Sequence, residues 1–425
     1  RDPALHGWHE RRGTVPALAA DLRHGMTSTL YLEPWPLVEG RASLLGQGCG
    51  VEVQFWESGP TDELVAPRPN PYLERLSTAT RATAVTTLVD GVEVPTLSVM
   101  VPPTVTECRF PIDVVITWVD GTDPEWDASR QARLSALAES TSDARRPEAS
   151  GRARFVDHGE LRYALRSLDL FAPWVRRIHL VTAGQKPDWL DADHPRVTLV
   201  DHRDILPPEA LPTFNSHAIE TALHRVEGLA EHFIYLNDDV MLARPLRPED
   251  FFSSSGIAAV SLSPVTVGLG DDPSAPPFLK AAWNNRELLS REFGAVLCRT
   301  TQHTPHPLRV SVLEAIEARF PAALAATARA PFRSETDVSL TSSLAQHYGL
   351  LTGTAVPSRA DLAYVDISNA DLERRLRGLL DRDQDYLCIA DHHDHALRAE
   401  RLEEVLHAFF GDYFPVAAPW ELSAP

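Results

Sequence analysis

The chain is poor in lysine, cysteine and methionine, and it contains no long apolar run. Of its 40 basic residues only Lys186 and Lys280 are lysines, and 59 acidic residues bring the formal net charge to -19 at pH 7. Nonspecific binding to nucleic acid requires clustered positive charge to neutralise phosphates, so this balance excludes nucleic acid as a general partner and leaves only a local basic pocket. The preference for arginine over lysine reads as genomic base composition at most positions. The four cysteines, Cys49, Cys108, Cys298 and Cys388, lie far apart and form no CxxC pair. That spacing excludes a zinc knuckle and a dense disulfide framework and leaves buried thiols as the simplest reading. No stretch reaches the ~20 continuous apolar residues of a membrane span. The chain begins at Arg1 rather than Met, so the lack of a targeting segment says little about location.

What is present is enough for a large core: 425 residues, 44% hydrophobic and 23% charged, a length for two or three domains or one enlarged domain with an appendage. Residues 1–108 read as a small β-rich N-terminal module. Val51 to Trp56 and Ala82 to Val89 are strand-like, Asp90-Gly91 is a hairpin turn before Val92-Glu93-Val94, and prolines punctuate the stretch up to Pro102-Pro103. The main domain, 109–425, opens with the apolar run Ile112 to Trp118, followed by a helical pattern from Arg154 to Leu170 and strands at Ile178, Val197 and Phe233, with a helix from Ser216 between the last two. Alternating strands and helices predict an α/β fold, Rossmann-like, with a largely parallel sheet and right-handed crossovers. Its ligands belong at the strand C-termini, where Asp120, Thr182, Asp201 and Asn237-Asp238-Asp239 stand. Residues 253–277 read as a long loop or lid. The part from 280 to 425 reads as mostly helical, with helices near 284–296, 308–319, 335–347, 370–380 and 398–410, and 138–152 reads as an exposed insertion.

The apolar strand Phe233-Ile234-Tyr235-Leu236 runs straight into Asn237-Asp238-Asp239. Two carboxylates at a strand end suit a divalent cation of the Mg²⁺ or Mn²⁺ kind, although an Asp-rich turn can also serve only as a cap. Adjacent residues on an extended chain point to opposite sides, so one of the pair faces the reaction centre. On the helix from Ser216, positions 217, 220 and 224 share a face, which makes His217, Glu220 and His224 a polar stripe. Glu220 is the functional candidate of the three, whereas His224 reads as a solvated residue and Asn215 or Ser216 as the cap. Arg162 and Arg166, at i and i+4, can fork onto a phosphate or equally form surface salt bridges. His303, in Gln302-His303-Thr304-Pro305-His306-Pro307, stands in a proline-stiffened loop suited to a general base. Arg333, in Phe332-Arg333-Ser334-Glu335, is placed near a helix start, where an anion would sit. The cluster Cys388 to His395 has a metal-binding composition and reads as a loop and helix start.

Taken together these segments resemble the Stealth family of sugar-phosphate transferases, which includes bacterial capsule and exopolysaccharide phosphotransferases and the catalytic part of the animal lysosomal-enzyme GlcNAc-1-phosphotransferase. Four blocks carry the resemblance: Ile112 to Asp123 with its Thr-Trp-Val-Asp-Gly core, Arg154 to Phe252, Gln302 through Arg333 to Tyr348, and Tyr386 to Glu421. The first hundred residues are similar to an accessory region of some bacterial members. The resemblance implies transfer of a hexose 1-phosphate from a UDP-sugar, UDP-GlcNAc favoured, to a hydroxyl of a glycan or sugar acceptor, with release of UMP. It places Glu220, Asp239, His303 and Arg333 in the active site, and one departure is Ala390, where a polar residue such as Asn is expected. For such a reaction Asp239, with Asp120 or Asp238, is assigned to Mg²⁺ or Mn²⁺, and Arg333, with Arg162 or Arg166, to phosphate charge. Asn215, His217 and Asn237 complete the candidate substrate contacts. The alternatives are a metal-dependent glycosyltransferase that releases UDP and a non-catalytic carbohydrate-binding protein. An acidic chain of this kind fits a bacterial cytoplasmic enzyme working at the inner face of the membrane as a peripheral associate.

Overall fold

The computed structural model describes residues 29–32, 37–38, 41–42, 45–46, 49–69, 72–89, 91–138, 151, 155–270, 272, 274–391 and 399–422. The insertion read at 138–152 (apart from residues 138 and 151) and the run His392-His393-Asp394-His395 lie outside them. The chain divides into two compact units, 1–107 and 108–425.

The first unit is built from short antiparallel pairings. Val51–Gln54 pairs with Thr29–Leu32, and Glu57–Ser58, Glu63–Val65 and Arg75–Ser77 make a three-stranded sheet. Ala84–Val89 and Val92–Leu97 form a hairpin with Gly91 at φ 79° in its turn, a conformation glycine adopts without steric cost.

The second unit carries the main sheet. Its strands are β1 (Ile112–Thr117), β2 (Ile178–Thr182), β3 (Val197–Asp201) and β4 (His232–Asn237), all parallel in the order β3-β2-β1-β4. Three further strands follow in sequence, β5 (Val240–Leu242), β6 (Ala258–Thr266) and β7 (Arg299–Thr301), before β8 (His306–Arg309) closes the main sheet antiparallel to β4. A second sheet joins β5 to the later strands β10 (Leu362–Asp366) and β11 (Tyr386–Ala390), and a third sets β6 between β7 and β9 (Ala355–Ser358). The fold is therefore α/β, with the Rossmann-like strand order that the alternation of elements predicts. All six residues of β1 are buried, which explains why Val114-Val115-Ile116 do not alternate with polar residues: a central parallel strand is covered on both faces. Each Ile or Val so buried contributes roughly 1.5–3 kcal/mol.

Several expectations are corrected. Residues 253–277 are not one loop, because Ala258–Thr266 pairs on both sides as β6. Its ladder shifts register between Leu262 and Thr266 around Pro264, a residue with no N–H to give. The part after 280 holds helices at Pro277–Phe293, Val310–Arg319, Pro321–Ala328, Ala345–Thr352, Leu372–Leu379 and Ala399–Tyr413, but β7 to β11 run between them. Cys388 to Ala390, the start of the run Cys388 to His395 read as a loop and helix start, ends a strand, Tyr386–Ala390, with all five residues buried; the apolar run is too short for periodicity to separate strand from helix. The helix from Ser216 ends at Glu220, where the Thr221 hydroxyl bonds back to the Ala218 carbonyl at 2.7 Å and competes with further helical turns.

One buried charge anchors the N-terminal end of β1. Asp113, with 0% exposure, accepts from Arg176 Nε at 2.8 Å and from the Ala230 N–H at 2.8 Å, and its Oδ2 lies 3.2 Å from His179 Nε2. Burial opposes its ionisation, but Arg176, His179 and the Ala230 amide outweigh that and hold its carboxyl down at about 2. A depressed carboxylate stabilises the fold above its unfolded-state value and loses that contribution as pH falls through the folded one. Asp113 therefore contributes about 2 kcal/mol that is present at neutral pH and lost between roughly pH 4 and 2. Urea unfolding across that range will show this slope in the native protein, and Asp113→Asn will flatten it while lowering stability at pH 7.

Candidate active site

The site is built at the end of β4. Asp238 and Asp239 form the tight turn between β4 and β5, so the carboxylates stand where the chain passes from the main sheet to the second one. The antiparallel pairing of β4 with β8 sets Tyr235 opposite His306. Extending that register places the residues just before β8 beside the turn, and there His303 Nε2 lies 3.4 Å from Asp239 Oδ1. On the other side, Val240 pairs with Cys388, and the Cys388 thiol donates to Asp239 Oδ2 at 3.6 Å. Burial disfavours the charged His303 ring, but the Asp239 carboxylate outweighs it and raises the imidazole above its ordinary value. The ring remains 37% exposed and can be reached by a ligand.

Glu220 and Arg333 approach from a second pair of elements. Asn215 caps the Ser216–Glu220 helix by accepting from His217 N–H at 3.1 Å, and its amide donates to the Ala330 and Phe332 carbonyls and to Asp337 Oδ2. Asp337 also takes Ser334 N–H at 3.0 Å and faces His217 Nδ1 at 3.3 Å. Phe214 stacks on Phe332, with ring centroids 5.3 Å apart. These contacts hold Arg333 against the helix, where its guanidinium donates to Ser216 Oγ at 3.0 Å. Burial pulls the Arg333 value down against the opposing charges of Glu220 and Asp337, and its buried Nε has no hydrogen-bond partner among the described residues. An unspent buried guanidinium donor is the kind of group an anionic ligand satisfies. Glu220, 3% exposed, accepts from Thr341 N–H at 3.1 Å and Ser342 Oγ at 3.4 Å. Both donors belong to a π-helical turn, Leu340–Leu344, a form that frequently marks functional sites. The charges of Asp239, Arg333 and Glu220 all act on His303. The four residues thus share one electrostatic neighbourhood.

A third group of carboxyls borders the turn. Gly159, at φ 94°, lets Asp157-His158-Gly159-Glu160 fold so that Asp157 accepts from Gly159 N–H at 2.7 Å and from Trp118 Nε1 at 2.9 Å. Burial and the neighbouring Asp157 push Glu160 well above the usual carboxylate range, and burial with Asp239 and Asp157 does the same to Asp238. Negative charge is therefore crowded at the turn, and a divalent cation with oxygen preference fits that donor set. The Cys388 thiol is pushed up by burial and by Asp239; it stays S–H and adds no charge for such an ion.

Other assigned residues are placed differently. Arg162 Nε and Arg166 Nε bind Glu421 at 2.5 and 2.6 Å, and Arg166 also reaches the Phe414 carbonyl. They hold the C-terminal segment, because a buried carboxylate at that spacing captures the fork that a phosphate would otherwise use. Asn215 and His217 are buried in the Asp337 network and position the helix. Arg333 lies in an irregular segment and not at a helix N-terminus. His224, read as solvated, is buried and lies 2.8 Å from Glu317. Asp120 stands at the same edge of the sheet but engages Thr122 N–H at 2.8 Å, in a cleft of about 400 Å³ shared with Asp123, Gly184, Gln185 and Lys186; it does not join the Asp239–His303–Cys388 group. Gly121 follows it because a Cβ there would lie 1.9 Å from the Phe155 carbonyl oxygen. Asn237 ends β4 opposite Thr117. Sequence reasoning did not single out Asp337, the Asp157/Glu160 pair or the π-turn, and it read Cys388, within a run of metal-binding composition, as part of a loop and helix start. Since Glu421 is 2% exposed, Arg166→Ala should destabilise the fold by about 3 kcal/mol and Arg162→Ala by no more than about 1 kcal/mol. Thermal melts check this, and the donor KM of Arg162→Ala should match the parent's, since that arginine holds the chain end.

Models of the Stealth proteins match in four blocks: conserved region 1 at residues 110–138, region 2 at 154–260, region 3 at 302–350 and region 4 at 377–425. The exopolysaccharide phosphotransferase SCO6023 of Streptomyces coelicolor is 42% identical over 99% of this chain and 71% of its own length. The exopolysaccharide phosphotransferase CpsY of Mycobacterium tuberculosis is 40% identical over 88% of this chain and 70% of its own length. Among solved structures, the galactosyltransferase LgtC aligns with a TM-score of 0.35 and 13% identity over 70% of this chain and 95% of that one, a likeness too slight to carry an argument. With all four conserved regions in order and relatives at this identity, the chain belongs to the Stealth family.

Proposed function

We propose that the protein transfers a hexose 1-phosphate, an N-acetylhexosamine 1-phosphate favoured, from a UDP-sugar to a sugar hydroxyl, forming a phosphodiester and releasing UMP. The observation that carries this reading is the His303–Asp239 pair at the end of β4, on which the charges of Glu220 and of Arg333, with its unspent Nε donor, both act. The relatives named as exopolysaccharide phosphotransferases support the same class of reaction. Attack on the β-phosphorus gathers charge on the phosphoryl oxygens and on departing UMP, and buried preorganised donors stabilise that charge most. Arg333 meets this need, held by Ser216. With its Nε2 proton held by Asp239, His303 presents Nδ1 as the base that takes the acceptor hydroxyl proton, in the manner of a carboxylate-oriented histidine. Glu220, fixed by the π-turn, orients the sugar. Asp239 and Asp238 would hold Mg²⁺ or Mn²⁺, which would supply charge neutralisation at the diphosphate. Among the described residues no helix is long and apolar enough to cross a membrane.

Incubation with a panel of UDP-sugars, a sugar acceptor and Mg²⁺ or Mn²⁺ tests the reading directly: UMP is the expected nucleotide product, and UDP in its place would indicate glycosyl transfer instead. His303→Ala should lower kcat by about 10²–10⁴-fold, with unchanged circular dichroism, and Asp239→Ala should be at least as damaging. NMR titration of the metal-free protein gives an independent check on the pair. The His303 midpoint should lie above 6.5 and fall in Asp239→Asn, because the carboxylate is what raises it. As a base His303 must be neutral, so kcat/KM should decline as pH falls through that midpoint.

A further inference from the structure

Asp239, His303 and Cys388 present an oxygen, a nitrogen and a sulfur donor that all lie within 4.8 Å of one another. Two of the separations are resolved more finely: 3.4 Å from Asp239 Oδ1 to His303 Nε2 and 3.6 Å from Cys388 Sγ to Asp239 Oδ2. Tetrahedral coordination with Zn–N and Zn–O bonds near 2.0–2.1 Å and Zn–S near 2.3 Å puts neighbouring donors roughly 3.3–3.6 Å apart. The imidazole and the thiol thus each stand at about that spacing from a carboxylate oxygen of Asp239, one on Oδ1 and the other on Oδ2, and all three donors lie close enough for small side-chain adjustments to close a three-ligand site with its fourth position open. Each comes from a different part of the chain: the β4–β5 turn, the segment before β8, and β11. The partial exposure of His303 provides an approach from solvent.

This donor set differs from the one a hard cation selects. Mg²⁺ prefers oxygen alone, whereas imidazole and thiolate favour Zn²⁺, Co²⁺ and related ions, which also stand higher in the general affinity order than Mn²⁺. We infer that Asp239, His303 and Cys388 form a binding site for a thiophilic divalent ion of the zinc class, and that occupation of this site inhibits turnover. Binding joins the metal to Cys388 Sγ, His303 Nε2 and one Asp239 oxygen, and the thiol proton leaves to solvent. No electron is transferred. The ion takes the Asp239 carboxylate from the hard cation and locks the imidazole in a metal bond, so neither group remains available to the substrate. The inhibition half rests on the phosphotransferase reading above; the binding half does not.

Cobalt reports on the binding half without any substrate. Titration of EDTA-treated protein with Co²⁺ should produce a thiolate-to-cobalt charge-transfer band and intense tetrahedral visible absorption, both removed by added Zn²⁺. Cys388→Ser should lose the band and weaken zinc affinity, measured against a chromophoric chelator, by at least ~100-fold, since even the loss of an outer-shell contact costs 10–100-fold. Cys298→Ser, which changes the exposed thiol, should keep the band. His303→Gln should lose affinity too, which keeps the test decisive should the buried Cys388 position not tolerate serine. Absence of the band in the parent protein, or its persistence in Cys388→Ser, overturns the site. In the turnover assay, Zn²⁺ added beside saturating Mg²⁺ should abolish UMP release, and a chelator should restore it. Zinc bound at this site with turnover intact overturns the inhibition. Failure of the Mg²⁺-loaded protein to release UMP counts against the phosphotransferase reading alone, because the cobalt spectrum reads the site on its own.

Discussion

The Asp337 carboxylate is the joint on which the site depends. It has 0% exposure, and a buried carboxylate is tolerable only when donors converge on it. They do so from two stretches far apart in sequence: Asn215 Nδ2 at 2.8 Å and His217 Nδ1 at 3.3 Å from one side, Ser334 N–H at 3.0 Å and Ser334 Oγ at 2.6 Å from the other. Satisfying this one charge fixes the Glu220 helix against the segment bearing Arg333. The same segment continues into the π-turn whose N–H and hydroxyl receive Glu220. A single buried group thus sets the relation between an acid and a guanidinium that no local rule would bring together. The Phe214–Phe332 stack adds an apolar contact to the same joint.

The opposite wall follows from strand register. A turn of two residues links a strand of the main sheet to one of a second sheet, so Asp238 and Asp239 cannot share the same surroundings. Asp238 is drawn into the buried acid group with Asp157 and Glu160, where repulsion and desolvation oppose its charge. Asp239 turns instead to the imidazole and thiol delivered by β8 and β11. The two carboxylates thus meet different groups, and Asp239 is the one that faces His303.

The sequence made visible what depends on local pattern. The buried run of β1 and the apolar approach of β4 to Asn237-Asp238-Asp239 were legible because central parallel strands read as continuous apolar segments. Motif resemblance singled out Glu220, Asp239, His303 and Arg333, and in the structure the charges of the other three act on His303. What was not legible depends on distant partners. Arg162 and Arg166 have the spacing of a phosphate fork, yet Glu421 occupies it from the far end of the chain. Tyr386–Ala390 is ambiguous as five apolar residues and becomes a strand only because β5 and β10 lie beside it. His217 looks like a ligand contact until Asp337 is placed next to it, and Cys388, noted within a run of metal-binding composition, could not be told from a small apolar filler before its Asp239 contact was placed.

These two walls also explain how one carboxylate can stand between two kinds of ion. Asp239 presents Oδ1 to an imidazole and Oδ2 to a thiol. Burial and the carboxylate itself keep that thiol protonated, so in the resting protein the sulfur is a weak donor and the turn behaves as an oxygen site. On the proposed reading a hard cation would find oxygen ligands and a crowd of carboxyl groups there, while the imidazole would stay free for proton transfer. Only an ion able to displace the thiol proton can recruit all three groups. On that reading the burial that keeps the Cys388 thiol protonated would also decide which ions could recruit it.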